Sequence, residues 1–132
     1  MMKIIFDVIP HSEQRYDTCG DYVWRDDTLH FRVSKLSDHK YEWLVFLHEL
    51  TEYALAMFGG VPTTEIDAFD IAYEHARKDG HAPCGCVIQE EPGFDRHAPY
   101  HWQHRMADIV ERACAFALGI DWIAYNREID AL

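Results

Sequence analysis

One helical segment, residues 38–58, constrains the fold of this chain more than any other part of the sequence. Its run WLVFLHELTEYALAMF places apolar side chains around nearly the whole circumference at about 100° per residue, and Gly59 and Gly60 end it. A helix that is apolar on all sides is usually buried on all sides, so we expect this helix at the centre of the molecule. The apolar residues that surround its axis are Leu44, Leu47, Leu50, Ala54, Leu55 and Phe58.

Three ionisable residues, His48, Glu49 and Glu52, interrupt this apolar helix. His48 and Glu52 are four residues apart in the sequence and therefore lie one turn apart on the same face, among leucine and valine side chains. A carboxylate among leucines costs several kcal/mol unless it is paired, protonated or bound to a metal ion. Two interpretations follow: a metal site, or a hydrogen-bonded histidine–carboxylate pair with further partners in the core.

The motif His48-Glu49-Leu50-Thr51-Glu52 reads HExxE and differs at one position from HExxH, in which two histidines bind zinc and the glutamate activates water. Glutamate in the last position is a competent oxygen ligand. It shifts the preference of the site towards harder or mixed-ligand metals such as manganese, iron or nickel. We therefore predict that His48 and Glu52 bind a divalent metal ion and that Glu49 is the catalytic base. The alternative for Glu49 is an ordinary surface position near Glu42.

A second predicted helix, residues 65–78, supplies a third candidate ligand. Asp67, Asp70 and Glu74 form an acidic stripe, and Asp70 lies at its boundary with the apolar face, where it can point inward or outward. The short connection GGVPTT predicts that this helix and the motif helix are antiparallel neighbours. Asp70 is therefore predicted to approach His48 and Glu52 as a metal ligand, with a surface position as the alternative.

A third predicted helix, residues 100–118, carries a polar line opposite its apolar face. The pattern predicts a solvent face at His101 and Asp108. His104 and Glu111 are flanked by alanine and leucine and can line a cleft between helices. His104 is accordingly a candidate fourth ligand or acid–base group.

The remaining pattern predicts a single α+β domain over residues 1–132. Residues 1–36 contain a β-rich strand at 3–9 and a hairpin, 21–25 with 28–35, around Asp26 and Asp27. We expect a small N-terminal antiparallel sheet there. Residues 38–132 are expected to form three main helices and a short terminal helix after Asp121, and to carry the metal site.

The charge of the chain excludes some partners. Asp and Glu number 23 against 12 Lys and Arg, which gives a formal net charge of −11. Binding to a nucleic-acid backbone or to anionic lipid needs a basic face, so neither is expected. No apolar run approaches the roughly 18 residues of a membrane span, and the N-terminus lacks the pattern of a signal peptide. Cytoplasmic localisation is the expectation.

Two cysteines lie close together in the segment GHAPCGCV. Cys84 and Cys86, with His81 nearby, are candidate ligands of a structural zinc site. However, zinc hooks normally place two residues between their cysteines and add a second pair elsewhere. A reduced loop or a strand end is therefore the favoured interpretation of this segment.

The order of hairpin, strand TLHFRVSK and helix FLHELTEYAL resembles a minimal zincin-like metallohydrolase. The resemblance implies that His48 is the first metal ligand, Glu49 the general base, Glu52 the second ligand and Asp70 the downstream acidic ligand. It also implies hydrolysis by a metal-activated water. Zinc is the expected metal, and manganese, iron, nickel and magnesium are the alternatives. The departure from that family is Glu52 in place of the second histidine.

Residues 38–125 also resemble small phage-encoded proteins that combine an HExxE helix with a DxFD helix, here 67–70, and a Tyr-x-x-x-His helix, here 100–104. That resemblance implies no particular activity. Glu49-x-x-Glu52 followed by Asp67-x-x-Asp70 is similar to the magnesium-binding carboxylates of MazG-like, all-α nucleotide pyrophosphohydrolases, but the N-terminal strands disfavour that family. A third hypothesis is a non-catalytic binding protein whose metal staples its helices.

Overall fold

A β-hairpin with an acidic turn forms two of the three strands of the sheet. The computed structural model describes Met1–Leu132, with strands β1 (Lys3–Ile9), β2 (Gly20–Arg25) and β3 (Thr28–Ser34). β2 and β3 pair antiparallel around Asp26 and Asp27, whose φ angles of 45° and 59° are both positive. Aspartate tolerates this left-handed conformation better than most residues, so the turn closes tightly. The predicted hairpin is confirmed.

The third strand, β1, pairs with β3 in parallel, so the strand order is β1-β3-β2 and the sheet is mixed. The prediction of a wholly antiparallel sheet is wrong for this pair. Residues 10–19 carry the chain across the end of β3: Ile9 lies beside Ser34 on one side, and the Cys19 carbonyl accepts from the Ser34 amide on the other at 2.8 Å. After the hairpin turn, β3 lies between β1 and β2 and runs parallel to β1.

Four helices follow the sheet, and the α+β class is confirmed. They are α1 (His39–Phe58), α2 (Thr63–Lys78), α3 (His101–Ala117) and α4 (Trp122–Asp130), with short 3₁₀ turns at His11–Glu13 and Pro92–Phe94. Each lies within a few residues of its predicted position, and the terminal helix α4 is present. None of the four combines the length and the apolar character that a bilayer-crossing helix requires.

Helix α1 lies between the sheet and α3, which explains its apolar circumference. One core cluster joins it to the sheet through Phe31 and Tyr53, and a second joins it to the C-terminal helices through Leu44 and Ala115. The prediction of a central, buried motif helix is confirmed for most of its length. Its last turn departs from the prediction, because Phe58 is 85% exposed there.

The neighbour that runs along α1 is α3 and not α2. His48 contacts Glu111, and Glu52, one turn further on, contacts His104, so α3 runs antiparallel to α1. Helix α2 reaches the same core mainly through Ile66. The expectation that α2 is the close antiparallel partner of α1 is therefore wrong. The long connection 79–100 lets α3 take that place.

The buried carboxylate of Glu42, at the start of α1, provides a stability prediction. The Leu36 amide donates to its Oε1 at 3.1 Å, and His39 Nδ1 and Lys35 Nζ lie 2.6 and 3.1 Å from its oxygens. Although burial disfavours its ionisation, these contacts lower the pKa of Glu42. We expect Glu42→Gln to reduce the free energy of unfolding at pH 7 by about 1.5–3 kcal/mol, measured by urea denaturation.

The stabilisation that the Glu42 carboxylate provides should depend on pH. A group whose pKa is lowered in the folded protein stabilises it above the unfolded pKa, and that stabilisation is lost as the pH falls. The difference between Glu42→Gln and the wild type should therefore shrink as the pH falls below about 4.3. Glu65→Gln, at an exposed position, is the control and should stay within about 0.5 kcal/mol of wild type. A Glu42→Gln deficit that is constant from pH 7 to pH 3 would contradict this account.

Candidate metal centre

The buried imidazole of His48 is held in one orientation by α3. Its Nδ1 lies 2.7 Å from Oε2 of Glu111, which is also buried, and the Tyr125 hydroxyl donates to the other oxygen of that carboxylate. An ionised carboxylate only accepts hydrogen bonds, so Nδ1 carries the proton. Nε2 is the ring nitrogen that is turned towards His104 and Glu52. A carboxylate behind a histidine is the usual support of a metal-binding imidazole.

Three potential ligand atoms converge in front of His48. His48 Nε2 lies 3.1 Å from His104 Nδ1 and 3.6 Å from Glu52 Oε2, and His104 Nδ1 lies 2.8 Å from the same Glu52 oxygen. Nitrogen and oxygen ligands at about 2.0–2.1 Å from a tetrahedral zinc ion are about 3.3 Å apart. The separations therefore fit a divalent metal ion, and two histidines with one glutamate are an established zinc donor set.

Glu52 is oriented by the sheet as well as by the histidines. The Tyr22 hydroxyl on β2 donates to Glu52 Oε1 at 3.0 Å, which leaves Oε2 directed at His104 and His48. Although burial disfavours its ionisation, the hydrogen bonds to His104 and His48 lower the pKa of Glu52 to about 2. An oxygen that is ionised at neutral pH therefore faces the two imidazoles, as metal ligation requires.

Three carboxylates, those of Glu111, Glu52 and Glu91, surround the two imidazoles and favour their protonated forms. Burial disfavours both imidazolium ions, but contacts with Glu111 and Glu52 hold the pKa of His48 well above its usual value. Contacts with Glu52 and Glu91 raise the pKa of His104 to about 9 in the same way. The cluster is thus a network of buried histidines and carboxylates, and a divalent cation would have to displace protons in order to bind there.

Glu91 is an additional candidate ligand that the sequence did not reveal. Oε2 of Glu91 lies 3.0 Å from the buried Nε2 of His104 and forms an ion pair with it, but the two atoms are not aligned for a hydrogen bond. One ligand atom each of His48, Glu91 and His104 lies within 4.8 Å of the others. Glu91 belongs to the long connection between α2 and α3, where no periodic pattern singles it out. It is a further candidate ligand from the cleft side.

Glu49 is placed beside this cluster and lines the adjoining cleft. It packs against the first residue of β2: a Cβ on Gly20 would lie only 2.7 Å from Glu49 Oε1 and from Val45 Cγ1, so a larger residue there would displace these side chains. Burial and the nearby charge of Glu52 hold the pKa of Glu49 well above its usual value. This environment differs from the solvated surface position that was the alternative for Glu49. Its role as catalytic base stays a prediction.

Asp70 lines the same cleft, but its contacts differ from those predicted for a ligand. The hydroxyl groups of Tyr16 and Tyr100 both donate to its carboxylate, Tyr16 at 3.2 Å. Burial raises the pKa of Asp70 to about 7, against the effect of these two hydrogen bonds. Asp67, the other acidic residue of the DxFD segment, forms an ion pair with Arg15 at 3.2 Å. Metal ligation by Asp70 stays a prediction, and the structure assigns it two tyrosine partners.

The cleft has a volume of about 380 Å³ and a strongly acidic wall. Arg77 is the basic residue of its lining apart from histidines, and Tyr22 and Tyr100 belong to its apolar part. Its carboxylates are those of Asp17, Asp21, Glu49, Glu52, Asp67, Asp70, Glu74, Glu90, Glu91 and Asp130. Such a cleft attracts cations and repels free anions.

Comparison with protein-family models, curated proteins and solved structures finds no match to this chain. Its function is therefore inferred from the chemistry of the cleft and of the His48–Glu52–His104 cluster.

Gly93 provides a test of how tightly the cluster is packed. It lies in the 3₁₀ turn that covers His104, and a Cβ at this position would overlap the imidazole. We expect Gly93→Ala to displace the His104 ring, to cost about 1–3 kcal/mol of stability and to weaken metal binding. Urea denaturation and metal titration measure the two effects. A Gly93→Ala protein with wild-type stability and metal affinity would show that the turn does not hold His104 in place.

Proposed function

We propose that this chain is a metal-dependent hydrolase whose divalent metal ion, zinc in the first instance, is held by His48, Glu52 and His104. The observation that carries the proposal is the convergence of three buried ligand atoms, with Glu111 fixing the tautomer of His48 from behind. Helices α1 and α3 both contribute, so the ligands are held by packed elements of the core. The wall of the cleft is completed by Glu49, Asp70 and Glu91.

The side chains around the cluster supply the proton transfers that hydrolysis needs. A divalent cation at this position contributes Lewis acidity to the reaction. Glu49 Oε1 or Oε2 accepts the proton of the attacking water, because a buried carboxylate with a raised pKa is a stronger base than a solvated one. Asp70, which lines the same cleft and whose pKa burial raises to about 7, is the proposed group that returns a proton to the leaving group.

The charge of the cleft favours an amide or a related neutral bond over a polyphosphate. Ten carboxylates surround the space that a substrate would enter, and the lining offers only Arg77 and histidines to hold phosphate groups. One observation supports the pyrophosphohydrolase alternative, since Glu49, Glu52, Asp67 and Asp70 do line one cleft. Against it, the guanidinium of Arg15, which also pairs with Asp21, lies 3.2 Å from Asp67 and competes with a magnesium ion for this carboxylate. We therefore place triphosphate cleavage with magnesium second.

The experiment is a parallel screen of metal-loaded protein. The protein is stripped with a chelator, reloaded with zinc, manganese or magnesium, and assayed against a peptide library and a panel of nucleoside triphosphates. Zinc- or manganese-dependent peptide cleavage supports the proposal. Magnesium-dependent triphosphate cleavage that is lost in Asp67→Asn and Asp70→Asn establishes the alternative. If the protein binds metal but cleaves neither class of substrate, the result supports the third hypothesis, a non-catalytic protein whose metal ion stabilises the packing of its helices.

A further inference from the structure

A second cluster of potential metal ligands lies outside this cleft, in the connection between α2 and α3. Cys84, Gly85 and Cys86 form a tight turn in which Gly85 has a φ of +76°, a conformation that favours glycine. The Gly85 amide donates to the Ala82 carbonyl at 2.8 Å and the Ala82 amide to the Cys86 carbonyl at 3.2 Å. The turn brings the two sulfur atoms to the same side, where they form an exposed disulfide with a Cα–Cα distance of 5.3 Å.

His97 completes the cluster from the other end of the same connection. A ring nitrogen of His97 and the two Sγ atoms lie within 4.8 Å of one another. The buried carboxylate of Asp95 accepts from His97 Nδ1 and from the His97 amide, both at 2.9 Å. The proton on Nδ1 leaves the lone pair on Nε2. This is the carboxylate–histidine arrangement that orients metal-binding imidazoles, and it is formed here by residues other than those of the His48–Glu52–His104 cluster.

We infer that Cys84, Cys86 and His97 form a second metal site, selective for zinc and other thiophilic cations, when the disulfide is reduced. Reduction by a thiol or phosphine adds two electrons and two protons and gives two thiols. Binding of the cation then releases both thiol protons and forms two metal–sulfur bonds and one metal–nitrogen bond, which leaves a position open to solvent. Disulfide and metal exclude each other, so the site is occupied only under reducing conditions.

The position of this site connects it with the cleft without sharing ligands. A cation bound by Cys86 and His97 closes the segment 86–97 into a loop, and that segment contains Glu91, Gly93 and Phe94. Glu91 and Phe94 contact the imidazole of His104, Phe94 at a ring distance of 4.6 Å. Metal bound at the second site therefore fixes the segment that covers His104.

The ligand chemistry of the two sites allows a direct test with Co²⁺ as a spectroscopic probe. Thiolate ligands give cobalt a charge-transfer absorption in the near ultraviolet, whereas histidine and carboxylate ligands do not. We expect the full chain, reduced with a phosphine, to develop this band on addition of Co²⁺, and the unreduced chain to lack it. Cys84→Ser/Cys86→Ser should abolish the band, and His97→Ala should weaken cobalt binding about 10²-fold.

Matched control variants test whether Cys84, Cys86 and His97, and not other residues, bind the cobalt ion. His81→Ala removes the histidine that the sequence places nearest the cysteines, and Cys19→Ser/Cys114→Ser removes the two remaining cysteines; both variants should keep the band. Glu52→Gln should keep it as well, so failure of the hydrolase proposal is distinguishable from failure of this one. Circular dichroism verifies folding, and the redox comparison on the wild type needs no variant. Absence of the band in reduced wild type, or its loss in His81→Ala and not in His97→Ala, would overturn the inference.

Discussion

Glu52→Gln is expected to lower the affinity of the protein for a divalent metal ion by about 10²–10³-fold. Structural zinc sites bind with about 10–16 kcal/mol shared among four ligands, which is about 2.5–4 kcal/mol for each. Glutamine keeps the shape of the side chain and the hydrogen bond from Tyr22, but removes the negative charge opposite His48 and His104. The affinity is measured by competition with a chromophoric chelator, and the metal content of the purified protein by mass spectrometry.

Two further variants make this result specific to ligation. Glu74→Gln makes the same chemical change in the same cleft, where the carboxylate pairs with Arg77, and should leave the metal affinity unchanged. Glu111→Gln changes only the group behind His48 and should weaken binding by about 10–100-fold. Equal metal affinity in Glu52→Gln and wild type would exclude Glu52 as a ligand. The ligand atoms would then be those of His48, His104 and Glu91.

The parts of the fold that follow from local sequence were predictable. The apolar circumference of residues 43–58 and the glycines after it define α1, and Asp26-Asp27 between two alternating segments defines the hairpin. The parallel pairing of β1 with β3 was not predictable, because it depends on the path of residues 10–19 across the end of β3. The strand pattern of residues 3–9 is the same for a parallel and an antiparallel neighbour.

In the candidate site, too, the features set by local sequence were predictable, whereas those set by the packing of distant segments were not. His48 and Glu52 follow from i, i+4 spacing on one apolar helix, and Glu111 and His104 from the alanine-rich face of α3. Their mutual approach depends on α3, and not the sequentially adjacent α2, lying along α1. A short connection usually makes two successive helices neighbours, and for this reason the sequence predicted Asp70 on α2 as the third metal ligand. Glu91 lies in an irregular segment, so only the folded chain shows its contact with His104.

Glu49→Gln is expected to reduce hydrolysis by about 10²-fold or more while the metal content and the fold stay unchanged. Glutamine has nearly the size of glutamate, so the packing against Gly20 is preserved, but it cannot accept the proton of an attacking water. Glu49 lies one residue from His48 and is not among the three converging ligand atoms. The rate is measured with the substrate found in the parallel screen, under saturating metal.

The stability of the same variant distinguishes a functional carboxylate from a structural one. Because burial and the charge of Glu52 raise the pKa of Glu49, its ionisation opposes folding at neutral pH, and this penalty grows as the pH rises above the unfolded value. Glu49→Gln should therefore be as stable as wild type or more stable at pH 7, despite its loss of activity. Glu90→Gln, an exposed carboxylate of the same cleft, should retain both activity and stability. Undiminished hydrolysis by Glu49→Gln would exclude this residue as the base, whereas loss of stability together with activity would indicate a packing role.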